Sequence, residues 1–251
     1  MSYSLILDTE TTSLDKPFCY DISWVIMDNE TGNIVDMKAN VVEQVWHNLP
    51  LFESAYYKEK RQKYIEMMRK HDAIMNKWGY IMRNLKQDIK RYSISEIYAY
   101  NSDFDDKVIS YNCDWYKCQN PLDDIPVYDI WGYASTFVTN QFQYKIFCER
   151  YHRFTETGNY KGSAEVVYQY LTKNPDFIEE HMGLFDSEIE AQILYKCIQS
   201  GAQWATSYKV NKILPREQKH PFTLKINGQK IYSGEYVKKV FRNDVYNFKT
   251  I

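Results

Sequence analysis

The chain has no apolar run approaching the roughly 20 residues that a membrane-crossing helix needs, and no membrane partner is expected. Its opening residues, Met1-Ser2-Tyr3-Ser4, lack the basic and apolar blocks of a secretion signal. Cysteine is sparse: the five residues Cys19, Cys113, Cys118, Cys148 and Cys197 are odd in number and scattered, which argues against a disulfide framework. Cys113 and Cys118 lie near each other, and His152 follows Cys148, but no second close pair completes a zinc site. Free thiols and a cytoplasmic location are therefore expected. Internal repeats and low-complexity linkers are also absent, which excludes a solenoid or an array. Proline is missing from residues 54–92, where Gly79 is the single glycine.

What remains is an ordinary globular balance, 44% hydrophobic and 25% charged residues over 251 positions. That length suits one sizeable domain and an appendage. The net charge of −2 is small, but it is unevenly distributed. Residues 53–91 carry 11 Lys/Arg against 5 Asp/Glu, and residues 204–251 carry 10 against 3. The rest of the chain is strongly acidic. Phosphate binding needs local positive charge rather than a positive total. Solvated helix and hairpin faces would give the same counts.

The pattern predicts strands at Tyr3–Asp8, Asp21–Asp28 and Ile34–Val42, with Asn29-Glu30-Thr31-Gly32-Asn33 turning the second into the third as part of a meander. In 54–92, apolar Ile74, Trp78, Ile81, Leu85 and Ile89 fall at helical spacing. This predicts one long helix, or two with a break near His71-Asp72. A further strand is expected at Ile97–Asn101, followed by a helix capped by Ser102. A short strand is expected at Pro126–Asp129, and helices at 130–151, 163–173 and 186–200. Near the end, Phe222–Ile226, Asn227-Gly228 and Gln229–Tyr232 read as a hairpin with a two-residue turn. The expected domains are thus 1–203, with a helical insertion at about 53–92, and a basic, β-containing extension at 204–251.

Three acidic patches carry the chemistry. The first, Leu5-Ile6-Leu7-Asp8-Thr9-Glu10-Thr11-Thr12, ends an apolar strand with two carboxylates at alternate positions, which share a face. The second, Ile97-Tyr98-Ala99-Tyr100-Asn101-Ser102-Asp103-Phe104-Asp105, crosses from strand to helix; there Phe104 can plug the core while Asp105 faces a site. The third, His181-Met182-Gly183-Leu184-Phe185-Asp186, sets a histidine ahead of an acid at a helix start. Carboxylates held together raise one another's pKa unless cations sit between them. Hard divalent cations seek such clusters, and paired ions can split phosphodiesters. Taken singly, each patch also reads as solvated surface.

In that order, D-T-E-T-T, N-x-x-F-D and H-x-x-x-x-D resemble the motifs of the DEDDh 3′-to-5′ exonucleases, a DnaQ-like group of the RNase H-like superfamily, over roughly residues 3–200. The resemblance implies an α/β fold with a mixed, twisted sheet and helices on both faces. It implies two Mg2+ or Mn2+ ions held by Asp8, Glu10, Asp105 and Asp186, with Asp105 acting mainly through metal-bound water. His181 would be the general base. Thr11, Leu14, Asn101 and Phe104 would meet the substrate. Ser13 stands where the first motif often has glycine. The insertion is longer than in compact members, and the tail has no placed counterpart.

The expected activity is hydrolysis from the 3′ end of single-stranded nucleic acid, releasing nucleoside 5′-monophosphates, with DNA slightly favoured over RNA. An exoribonuclease of the same family is the alternative. A catalytically silent module that binds nucleic acid or protein on the same fold is another. A separate polymerase chain would be a possible partner, and the composition suggests a bacterial or phage genome.

Overall fold

The computed structural model describes residues 2–204, together with the backbone of 217–226 and 229–239. Strands β1 (Tyr3–Thr11), β2 (Cys19–Asp28) and β3 (Ile34–Val42) form the expected antiparallel meander. The turn between β2 and β3 requires Gly32. Its φ is +74°, and a Cβ there would lie 2.6 Å from the Tyr195 ring. The Asp28 side chain accepts a bond from Glu30 N and closes the same turn.

Two short helices follow, α1 (Glu43–Trp46) and α2 (Leu49–Phe52), and then a single 3-10 turn at Lys58–Lys60. Next come α3 (Arg61–Lys70), β4 (Ile74–Asn76) and α4 (Trp78–Arg91). The predicted break is present, with His71 in the left-handed region at φ 66°. Ile74, in phase with the helical stripe in the sequence, instead lies in β4, an edge strand running parallel to β3. Its distance from Trp78 fits a helix period by coincidence, and a three-residue strand is too short to show a period of its own. The remaining stripe, Trp78, Ile81, Leu85 and Ile89, is the buried face of α4.

Strands β5 (Ile97–Ala99) and β6 (Val127–Asp129) continue the sheet in parallel, giving the order β4-β3-β2-β1-β5-β6. Between them runs α5 (Ser102–Tyr116). The predicted helix at 130–151 is two helices, α6 (Ile130–Phe137) and α7 (Phe142–Arg150). They are followed by α8 (Ala164–Thr172) and α9 (Gly183–Gln199). Nine consecutive residues of β2 are buried, so both of its faces are covered. α9 packs along β1, β2 and β3, and α5 packs against β1, β2, β5 and β6.

Ser102 is not the cap of α5. Asn101 holds the cap position in a left-handed conformation and makes no side-chain cap bond. The cap comes from Asp129 at the end of β6. Its Oδ1 and Oδ2 accept from Asn101 N and Ser102 N at 3.0 and 3.1 Å, and Oδ1 also accepts from Trp131 N at 2.7 Å. One buried carboxylate therefore caps both α5 and α6. Such a bond between elements distant in sequence outweighs the local preference that made Ser102 the expected cap.

The tail forms the expected hairpin with longer strands, β7 (Glu217–Ile226) paired antiparallel with β8 (Gln229–Lys239). Its Asn227-Gly228 turn lies outside the described residues. Trp204, first residue of the expected extension, sets its ring edge-on to Tyr128 of β6 at 5.1 Å.

Candidate active site

The apolar Leu5-Ile6-Leu7 run buries the middle of β1 and delivers its polar end to the sheet margin. In register with β2, Asp8 faces Ser23 and Glu10 faces Asp21. Helix α9 lies along both strands and brings Asp186, in its first turn, to the same place. One carboxylate oxygen from each of Asp8, Glu10 and Asp186 lies within 4.8 Å of the others. These acids sit in a cleft of about 700 Å³, a size suited to a small ligand or one end of a larger one.

The α9 end is locked to β2 through Asp21. The Asp21 Oδ2 accepts from Gly183 N at 2.8 Å and from the Tyr64 hydroxyl of α3 at 2.5 Å, while its Oδ1 accepts from the Ser23 hydroxyl at 2.7 Å. A side chain at 183 would be tight: a Cβ there would stand 3.1 Å from both Asp21 oxygens, which would have to give by a few tenths of an ångström.

Asp105 is not brought into the three-acid group. It is buried in the first turn of α5, and its Oδ1 accepts from Thr9 N at 2.9 Å and from the Thr9 hydroxyl at 2.7 Å. Thr9 alternates with Asp8 and Glu10 along β1, and its bonds engage the Asp105 Oδ1. It remains the strongest charged neighbour acting on Asp8.

His181 stands just before α9 at φ 50°, its side chain 38% exposed. The imidazole lies flat on Tyr57, with ring centroids 4.5 Å apart and planes 11° off parallel. Its Nδ1 is 3.7 Å from Glu179 Oε2. Burial, and next the charge of Lys60, hold its pKa below the usual imidazole value, so the ring is neutral at neutral pH. Thr11, Leu14, Asn101 and Phe104 all line the cleft, and Leu14 is 76% exposed.

Reading the sequence missed Glu190. It lies one turn beyond Asp186 on α9, is buried, lines the cleft and accepts a bond from Tyr100 N at 3.2 Å. The four-residue spacing from Asp186 was the available signal. Asp21, Tyr57 and Glu179 were also missed, since nothing local in the sequence marks them.

Burial first, and then one another's charge, raise the pKa of these acids. Burial first, then Asp21 and Asp186, push Glu10 up to about 9. Burial first, then Glu179 and Asp21, push Asp186 up to about 8. Asp8 is raised well above the carboxylate range by burial, then by Asp105 and Glu190. Two of the cluster's oxygens, Asp8 Oδ2 and Asp186 Oδ1, are buried without a hydrogen-bond partner. A buried carboxylate oxygen left without a donor is costly. A hard cation satisfies such an oxygen and removes the mutual repulsion, so the donor set fits Mg2+ or Mn2+.

No protein-family model matches the chain, and no curated protein matches its sequence. Solved structures do resemble it. The nuclease domain of 3′hExo, a DEDDh family member bound to rAMP, aligns with a TM-score of 0.51 at 13% identity, over 81% of this chain and 95% of that one. A full-length 3′-exonuclease aligns at 0.52 and 14% identity, over 81% and 84%. A 3′-exonuclease recognising the 3′ end of a histone mRNA stem-loop aligns at 0.56 and 13% identity, over 95% and 92%. The chain has the α/β fold of 3′ exonucleases.

Proposed function

We propose that this chain is a metal-dependent 3′-to-5′ exonuclease that hydrolyses single-stranded nucleic acid to nucleoside 5′-monophosphates. The observation that carries the reading is the pair of buried, unpartnered oxygens, Asp8 Oδ2 and Asp186 Oδ1, in the three-acid cluster of an open cleft. Asp8, Glu10 and Asp186 would hold two divalent cations, with Asp105 acting mainly through water. When bound, such ions neutralise the attacking and leaving oxygens and make water easier to deprotonate.

The chain's own groups supply the rest. His181 is neutral and lines the cleft, as a proton acceptor requires. Leu14 presents an exposed apolar side chain at the same cleft and gives a terminal base or sugar a surface to rest on. Thr11 and Asn101 offer polar groups beside it, and Phe104, half-buried against the core, forms part of the wall. A silent binding module has no need of two buried carboxylate oxygens left without a donor, so catalysis is the better reading.

DNA and RNA differ by a 2′-hydroxyl that a single side chain can read. Two of the similar structures involve RNA components, rAMP and a histone mRNA stem-loop, which gives RNA equal standing with DNA as a candidate substrate. One gel tests the proposal: 5′-labelled single-stranded DNA, duplex DNA and RNA, incubated with Mg2+ or Mn2+ beside an Asp8→Ala control. Ladders that shorten from the 3′ side, and are absent with the control, support it. Intact substrate in every lane would refute it. Co-purification with a polymerase chain would test the possible partner.

A further inference from the structure

We propose that Tyr57 is a positioning residue for His181, so that the inserted segment forms part of the catalytic apparatus; this rests on the hydrolase reading above. The imidazole has one face stacked on Tyr57 and a side chain that is 38% exposed. Tyr57 restrains the tilt of the ring. Glu179 stands beside the ring, with its Oε2 3.7 Å from Nδ1, beyond direct hydrogen-bond reach.

The support under His181 is itself fixed. Tyr57 directly precedes the 3-10 turn that leads into α3. Helix α3 is pinned by the buried Tyr64, whose hydroxyl donates to Asp21. The Arg61 guanidinium lies over the Trp46 and Phe52 rings at 4.7 and 5.2 Å. Lys63 of α3 pairs with Glu180, the residue next to His181. Asp21 bonds both α3 and the first residue of α9. The tyrosine and the histidine are therefore held by one block of structure. His181 also keeps a left-handed backbone, a conformation that persists in a non-glycine residue when its surroundings enforce it. Tyr57 is half-buried and outside the main core, so changing it leaves the core intact.

The test is a double-mutant cycle. The kcat and KM are measured with Mn2+ on a 5′-labelled oligonucleotide for the wild type, Tyr57→Leu, Tyr57→Phe and His181→Ala, and for Tyr57→Leu combined with His181→Ala. Tyr57→Leu is expected to lower kcat on the order of 10-fold through misplacement, with KM nearly unchanged. Tyr57→Phe, which keeps the stack, restores turnover. In the His181→Ala chain, Tyr57→Leu costs nothing further, whereas a general structural role would lower turnover in both backgrounds. If Tyr57→Leu melts early, Tyr57→Met takes its place in the same cycle. Unchanged kcat in Tyr57→Leu, or an equal loss with and without His181, overturns the inference and leaves the hydrolase reading standing. A wild-type chain that binds Mn2+ yet cuts no nucleic acid overturns both.

Discussion

Asp21 and Gly183 meet at 2.8 Å, carboxylate oxygen to backbone N–H, although they belong to the second strand and the last helix of the described body. This contact sets where α9 begins and so where Asp186 sits. Gly183→Ala would put a Cβ 3.1 Å from both Asp21 oxygens and from the Ser23 Cβ, forcing them to shift. A loss of about 1–3 kcal/mol is expected, the usual cost of overpacking a tight site. Urea unfolding measures it, and a variant as stable as the wild type would mean that the corner relaxes freely.

The three-acid cluster should govern cation binding as well as turnover. Titration calorimetry with Mn2+ is expected to give clear heats for the wild type and none for Asp8→Ala or Asp186→Ala. Asp105→Ala should weaken uptake less, because its Oδ1 is engaged by Thr9 and it stands outside the cluster. Equal binding by all four proteins would disprove the assignment.

Metal-free protein should lose stability as pH rises. Asp105, Asp186 and Glu10 are pushed up to about 7, 8 and 9, each chiefly by burial. In the unfolded chain all three titrate near about 4. A raised acid pKa means that the folded state binds protons more tightly, so its stabilising contribution is complete below about pH 4 and is lost as pH climbs through 7 to 9. Melting temperatures in EDTA should fall between pH 5 and pH 9, and Mn2+ at pH 8 should restore them. A flat EDTA profile would contradict the crowding of these acids.

His181→Ala should lower kcat on the order of 10²–10⁴-fold, the scale of general acid–base help. Because burial and Lys60 depress the imidazole pKa, the wild-type rate should fall on the acid side below the ordinary histidine value. The variant should lose that limb. If the acid limb is the same in both proteins, His181 is not the proton acceptor.

The meander was legible because strong local signals agreed: apolar runs in β1 and β2 and a glycine turn between β2 and β3. The three acidic patches were legible because each lies at the end of an element whose pattern was clear. Edge strand β4 was not, since its three residues have no period and Ile74 fell in phase with α4. The true cap of α5 was hidden because Asp129 reaches it from another strand. Sequence order likewise carried no hint that Tyr57 would lie against His181, or Asp21 against Gly183, since both contacts are products of tertiary packing. The separate standing of Asp105 was hidden for the same reason: its motif marks the residue, and only the bond to Thr9 shows where its oxygen is held.

Asp8 is translated in the first strand, and Asp186 not until the last helix of the described body. A nascent chain thus emerges from the ribosome with one of the three acids of its cation trap missing, and so does any fragment cut short before α9. The trap closes when Gly183 reaches Asp21, which ties completion of the site to the synthesis of α9.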